Sequence, residues 1–357
     1  MEQRWLGASG IKVSAFALGT MGFGGAATGG WVAEIDEHGA REQVRAALDA
    51  GVTLFDSANG YQRGAAEELL GRALGADRDR VLLSTKAHVR VGDGPNDVGQ
   101  SRWHLLRACE DSLRRLGTDR IDVYHLHGFD ACTPLDETLR ALDDLVRAGK
   151  VRYVACSNYA AWQLAKALGV AERRGLERFV ATQSYYSLVA RELENEMLPA
   201  CVDHGVGVLV WSPLAGGFLS GKFTRDGEGP AASRRGRLGD LGVGRIDEVQ
   251  GHAIVDVCRE IAAARGVSVA QVALNWLRAN PAVSSIIVGA RTTAQLHDNL
   301  AAGGWQLEPD EKVRLDDVSE PARPYPVWYQ RQFTAERSSR DGAPPGAFSY
   351  RFDADDA

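Results

Sequence analysis

Four side chains that handle protons stand where apolar runs end. In Phe55-Asp56-Ser57-Ala58-Asn59-Gly60-Tyr61 an acid and a phenol lie five residues apart, just after Val52, Leu54 and Phe55. The run Val81-Leu82-Leu83-Ser84-Thr85 ends in Lys86, and Val123-Tyr124-His125-Leu126 ends in His127. A lone acid at a strand end is usually a cap, and a lone aromatic a packed ring. A lysine closing an apolar strand is seldom buried without a partner, and an acid at the neighbouring strand end would supply one. Together these types are suited to giving a proton to a carbonyl oxygen. A phenol, with a pKa of about 10, is a poor acid at neutral pH. A close ammonium stabilises the phenolate and makes the phenol a stronger acid. A carboxylate offsets the buried ammonium and orients it, and an imidazole can hydrogen-bond the same oxygen. An acid of this kind serves hydride transfer to an aldehyde or ketone, where an alkoxide develops. The hydride has to come from a cofactor.

For residues so far apart in the chain to meet, repeated elements must bring them to one face. The pattern is a short apolar run, a loop, then a helical stretch. Ala15–Leu18 reads as a strand before a glycine-rich loop, and His38–Ala50 as a helix stopped by Gly51. A second strand ends at Asp56 and Ala65–Leu74 is its helix; a third strand ends at Lys86 and is followed by the helix Ser101–Leu116. Strands at Ile121–Leu126, Tyr153–Cys156 and Phe179–Gln183 alternate with helices at Leu135–Ala148, Ala160–Arg174 and Leu193–His204. Strands at Val206–Trp211 and Ser285–Val288 follow, the last with a helix at Thr292–Ala301. Alternation of this kind implies parallel strands with right-handed crossovers, and eight units close into a (β/α)8 TIM barrel. The strand C-termini of such a barrel carry its active site, which is where Asp56, Lys86 and His127 fall, with Tyr61 on the loop after one of them. Met1–Ser14 reads as a hairpin capping one barrel end. Residues 1–333 are expected to form one barrel domain with long loops at the C-terminal face, and 334–357, polar and rich in Pro and Gly, a mobile tail. Lys222–Ile246 is long, rich in Gly and Arg and without periodicity, as functional or disordered loops are.

Bulk properties narrow the class. The 357 residues are 45% hydrophobic and 25% charged, enough for a large core. The formal net charge of −6, with no basic stripe, gives no reason to expect a nucleic-acid partner. No window approaches the ~20 apolar residues of a membrane span, and Met1–Gly10 has no signal-peptide pattern. Five scattered cysteines without a CxxC pair read as buried thiols in a reducing compartment, so a cytoplasmic location is expected. Oligomeric state is not legible.

The chain resembles the aldo-keto reductase superfamily from about Arg4 to Ala302, nearly the whole barrel. The family's catalytic tetrad matches Asp56 and Tyr61 in FDSANGY, Lys86 in STKAH and His127 in DVYHLHGFD. Asn59-Gly60 departs from the acid and bulkier residue of many members. The resemblance implies NADP(H) as cofactor and a small carbonyl or alcohol as substrate. It assigns Ser157, Asn158 and Gln183 to the nicotinamide carboxamide and Trp211 to stacking on its ring. Gly19 and Asp56 join the cofactor site, and the segment Ser212, Pro213, Leu214, Gly216, Ser220 and Lys222 would hold the pyrophosphate. Gly289, Arg291, Gln295, Asp298 and Asn299 match the adenosine and 2′-phosphate site, with Asp298 where many relatives carry Glu. Arg291 favours NADP(H) over NAD(H).

Candidate substrate residues on the same face are Trp31, Tyr61, His88, His127, Phe129 and Trp328, the last within Tyr325–Tyr329. Such an aromatic pocket would take sugars, aromatic aldehydes and quinones alike. Arg225, Arg234, Arg235 and Arg237 could clamp phosphates or an anionic substrate, or be solvated loop charges. Three other readings stay open. A Rossmann dehydrogenase needs a G-x-G-x-x-G spacing that Gly19–Gly25 lacks. A metal-dependent barrel hydrolase could use His125 and His127, which two-residue spacing puts on one strand face. A cofactor-binding regulatory subunit is a role some members of the family take.

Overall fold

The computed structural model describes residues 1–25, 34–225 and 243–333. Trp31, Arg234, Arg235, Arg237 and the 334–357 tail lie outside the described residues. The chain opens on an antiparallel hairpin of β1 (Gln3–Trp5) and β2 (Lys12–Ser14). Eight parallel strands follow: β3 (Phe16–Gly19), β4 (Leu54–Asp56), β5 (Leu82–Ala87), β6 (Ile121–Leu126), β7 (Val151–Ser157), β8 (Phe179–Tyr185), β9 (Gly207–Trp211) and β10 (Val283–Val288). They close in sequence order, β10 pairing with both β3 and β9. This is the expected (β/α)8 barrel.

Helices α1 (Glu37–Asp49), α2 (Ala65–Leu74), α3 (Arg102–Leu116), α4 (Leu135–Arg147), α5 (Ala161–Arg174) and α6 (Met197–His204) follow β3 to β8 in turn. Each packs an apolar stripe on the outside of the barrel; α4, for instance, buries Leu139, Ala141, Leu142 and Leu145. The expected helix Leu193–His204 is broken. A short turn at Glu192–Glu194 precedes α6, which starts only at Met197. Pro199 is the cause: it has no N–H for the carbonyl of Asn195, and its ring clashes there, so the helix cannot extend backwards. Three more helices lie where the sequence reading left the chain unassigned: α7 (Glu248–Arg265) and α8 (Val269–Arg278) before β10, and α10 (Pro309–Val318) after α9 (Thr293–Ala301).

The barrel interior is filled, not hollow. Ala17, Leu54, Val123, Ala155, Ala181, Leu209 and Ile287 point inward and meet Leu6 and Val13 from the hairpin, which plugs the N-terminal end. The plug needs glycine at position 7. Its φ is +58°, and a Cβ there would lie 2.4 Å from the Gly205 carbonyl, to which the next residue, Ala8, donates its N–H. With that end sealed, the strand C-termini are left as the face for chemistry. No helix of the described residues is long and apolar enough to cross a membrane.

Candidate active site

Period-two alternation decides which side chains enter the barrel at its open end. On β5, Ser84 and Lys86 point inward and Thr85 outward; on β4, Asp56 points inward at the strand's last position. The three inward groups meet. Lys86 Nζ lies 2.6 Å from Asp56 Oδ2, 2.7 Å from the Ser57 carbonyl and 3.3 Å from the Tyr61 hydroxyl. Asp56 Oδ1 accepts from Ser84 Oγ at 2.7 Å and from Gln183 Nε2 at 3.0 Å. The lysine side chain is 0% exposed and the aspartate 3%, so neither charge is stable there without the other. Burial alone would push Lys86 down, but the Asp56 carboxylate and the Tyr61 oxygen outweigh it, and the ammonium is held above its ordinary range. His127 closes the group, its ring edge-on to Tyr61 with centroids 5.7 Å apart. Burial and the nearby Lys86 ammonium drive His127 well below the usual imidazole range, so it is neutral at physiological pH. The four residues expected to work together are brought together.

His125 sits two residues earlier on β6 and is wholly enclosed in the barrel. Burial lowers its pKa to about 4. The sign of the linkage follows. The unfolded chain binds this proton below pH ~6.5 and the folded chain only near pH 4, so folding is favoured fully above 6.5 and progressively less as pH falls. Wild-type protein should therefore lose up to about 3 kcal/mol through His125 on going from pH 7 to below 4. Thermal midpoints for wild type and His125→Leu should converge across that interval. Parallel curves would contradict the assignment. Among the described residues no three His, Cys, Asp or Glu side chains are grouped to hold a metal.

Asp56, Tyr61 and His127, with Lys86 buried behind them, form one wall of a cavity of about 600 Å³ at the mouth of the barrel, within the ~300–1,000 Å³ span of ligand sites. Every residue expected to hold the cofactor lines it: Gly19, Asp56, Ser157, Asn158, Gln183, Trp211, Ser212, Pro213, Leu214, Gly216, Ser220, Lys222, Gly289, Arg291, Gln295, Asp298 and Asn299. Several of these polar groups are tied to each other. Asn158, at φ +57°, donates from Nδ2 to the His127 carbonyl and accepts from Trp211 Nε1 at 3.0 Å. Trp211 is stacked on Tyr185 with ring centroids 4.9 Å apart, which fixes the plane it presents. Asp298 accepts from Ser268 Oγ and Gln271 Nε2, both at 2.7 Å, so its carboxylate anchors α9 to α8. Gln295 turns its carbonyl back to the Arg291 N–H.

Charged groups of both signs line the cavity, Glu34 and Asp298 among them. Lys222 and Arg291 line the same cavity, and burial together with the Arg291 charge lowers the lysine pKa. Two cations that repel each other in a cavity are stabilised by an anion between them. The N-terminus of α9, capped by Thr292, lies beside them.

A family model described as "Aldo/keto reductase family" matches residues 17–320. The chain belongs to the aldo/keto reductase family. Among the relatives of this aldo/keto reductase is the uncharacterized oxidoreductase YrpG of Bacillus subtilis, 38% identical over 89% of this chain and 96% of its own. The versiconal hemiacetal acetate reductase of Aspergillus parasiticus is 36% identical over 91% of this chain and 99% of its own. A probable voltage-gated potassium channel subunit beta of Arabidopsis thaliana is 36% identical over 85% of this chain and 91% of its own.

Three of the candidate substrate residues stand apart from this cavity. His88, Phe129 and Trp328 do not line the cavity. His88, in a strained backbone conformation at φ +144°, packs its ring against Gly128. Phe129 is edge-on to Tyr159 and Trp162, and Trp328 sits in an exposed cluster with Tyr325 and Tyr329. Conversely, Thr20, Met21, Gly22, Glu34, Gly217, Ala270 and Ala290 line the cavity without having been expected. Thr20, Gly217 and Ala290 directly adjoin residues that were named; Ala270 belongs to α8, for which the apolar pattern predicts no element. A larger cleft of about 770 Å³ lies at the sealed end, lined by Arg4, Arg278 and the hairpin. Its arginines are spent on Glu2, Asn275 and backbone carbonyls, and it holds none of the candidate residues.

Proposed function

We propose that this aldo/keto reductase is an NADP(H)-dependent carbonyl reductase that moves hydride reversibly between the cofactor and an aldehyde or ketone. The observation that carries the reading is the buried Lys86 ammonium bridging Asp56 and the Tyr61 hydroxyl, two groups in the wall of the cavity that Lys222 and Arg291 also line. When bound, NADPH supplies the hydride. The remaining work falls to side chains. Tyr61 gives its hydroxyl proton to the carbonyl oxygen as negative charge develops there. Lys86, 3.3 Å away, stabilises the phenolate left behind. Asp56 keeps the lysine charged and aimed. Neutral His127 hydrogen-bonds the carbonyl oxygen and holds it against Tyr61. Trp211, braced by Tyr185 and Asn158, presents a flat face to the nicotinamide. Ser157, Asn158 and Gln183 serve its carboxamide, and Ser212 through Lys222 the diphosphate.

NADPH consumption against a panel of aldehydes, ketones, quinones and sugars tests the reading. Arg291 is assigned to the 2′-phosphate. Arg291→Ala should raise the NADPH dissociation constant by about tenfold or more and leave NADH within about twofold, since a charge-assisted contact is worth ~1.5–3 kcal/mol. Equal weakening of both cofactors would move the contact elsewhere.

A second reading draws on the relatives named as potassium channel β subunits. It makes the chain an NADP(H)-holding regulatory subunit. That reading expects tight cofactor binding with slow turnover on every carbonyl, whereas the reductase reading expects at least one carbonyl turned over at an ordinary enzyme rate of about 1 s⁻¹ or faster.

A further inference from the structure

We infer that Glu67, with Arg115 and Thr85, is a positioning device that fastens the loop carrying Tyr61 to the strand carrying Lys86. The inference rests on the carbonyl reductase reading, because it gives the device one purpose: to hold the 3.3 Å contact between the Tyr61 hydroxyl and Lys86 Nζ.

Glu67 lies on α2, immediately after the Tyr61 loop, and its side chain is 0% exposed. Carboxylates are almost never buried so completely without a pair. Its two oxygens are used in different directions. One accepts from Thr85 Oγ1 at 2.6 Å, and the other from Arg115 Nε at 2.6 Å. Thr85 is the residue before Lys86. Because neighbours on a strand point to opposite faces, the hydroxyl that Glu67 grips and the ammonium that faces Tyr61 sit on either side of one short stretch of backbone.

The other half of the device acts on the loop. After Tyr61 the backbone runs through three left-handed residues in succession, Gln62 at φ +51°, Arg63 at +55° and Gly64 at +96°. Two of the three carry side chains, and such strain persists only when the surroundings over-determine it. On one side Gln62 Nε2 donates to the Met21 carbonyl at 3.2 Å. On the other the Arg115 side chain lies so close over Gly64 that a Cβ there would come within 2.6 Å of Arg115 Cδ. Arg115 reaches this place from α3 while bound to Glu67. One carboxylate thus ties the strand beside Lys86 to the arginine that roofs the Tyr61 loop. A pair whose only task was to join α2 to α3 would have no need of Thr85.

The full-length protein, NADPH and the best carbonyl from the panel suffice for the test. Glu67→Gln strips the charge facing Arg115 and can unfold the region, so Thr85→Val, which keeps the shape and removes only the hydroxyl, is the principal variant. Thr85→Ser keeps the link. Thr85→Val should lower kcat by about tenfold or more, as sub-ångström misplacement of a proton donor does. KM and the NADPH dissociation constant should stay within about twofold, and Thr85→Ser should match wild type in all three. Glu67→Gln, where it folds, should show the same split between kcat and KM. A Thr85→Val protein that melts earlier but keeps its kcat would overturn the inference. So would a Thr85→Ser protein as slow as Thr85→Val, or a rise in KM and cofactor dissociation that parallels the fall in kcat. If wild type itself consumes no NADPH with any carbonyl, the reductase reading fails and takes this inference with it. If wild type turns over and Thr85→Val does so equally, the inference alone fails.

Discussion

Tyr61→Phe should retain NADPH binding and lose carbonyl reduction by a factor of about 10² to 10⁴, the usual contribution of a positioned general acid. The ring stays, so its edge contact with His127 survives, and Lys86 keeps Asp56 and the Ser57 carbonyl as partners. Only the proton donor is removed. The alkoxide that forms on hydride transfer is then left to a buried lysine and a neutral imidazole. Titration of the cofactor by tryptophan fluorescence should give the same dissociation constant for both proteins, while kcat/KM measured from NADPH consumption collapses. A variant that reduces the best substrate at an undiminished rate would remove Tyr61 from the acid's role.

Lys86→Met should be the most damaging single change to stability among the site residues. It removes the cation from a carboxylate that is 3% exposed and leaves Asp56 with the Ser84 hydroxyl and the Gln183 amide. Breaking a buried pair in this way costs about 3–5 kcal/mol. The companion change Asp56→Asn in the same chain removes the orphaned charge. The double variant should therefore recover much of the stability lost by Lys86→Met, and chemical denaturation of the two single variants and the double variant reads that coupling directly. Activity should not recover, since the phenol has still lost its ammonium. A Lys86→Met protein as stable as wild type would mean that Asp56 is held in another way.

The sequence carried most of the fold because each unit announces itself locally. Helix α2 appears over Ala65–Leu74 and β6 over Ile121–Leu126, the bounds read from their apolar patterns. What escaped was chemistry that only packing creates. Pro199 sits early enough in α6 to be tolerated there, yet it forbids the turn before it. Helix α8 sets Gln271, Asn275 and Arg278 on one face at i, i+4 and i+7, yet buries that face along with its apolar one, so it has no solvent side. The Asp56, Tyr61, Lys86 and His127 cluster was legible because three of the four lie at strand ends and Tyr61 on the loop after one, and strand ends converge by topology. The placement of His88 and Phe129 away from the cavity was not. His88 and Phe129 sit in loops whose direction is set by neighbours such as Gly128, Gln100 and Trp162, and spacing along the chain says nothing about those. Glu67 was missed for a related reason. On a helix it looks like an ordinary surface acid, and only Thr85 and Arg115 reveal that it faces inward.

The most direct test of the central claim follows the hydride itself. Wild type and Tyr61→Phe would each be mixed in a single turnover with NADPH carrying deuterium at the transferable position and with the best aldehyde or ketone of the panel, and the product alcohol examined by mass spectrometry. Wild type should place deuterium on the former carbonyl carbon, and Tyr61→Phe, though saturated with cofactor, should yield almost no labelled alcohol in the same time. No label in the wild-type product, or equal label from both proteins, would contradict hydride transfer completed by a proton from Tyr61.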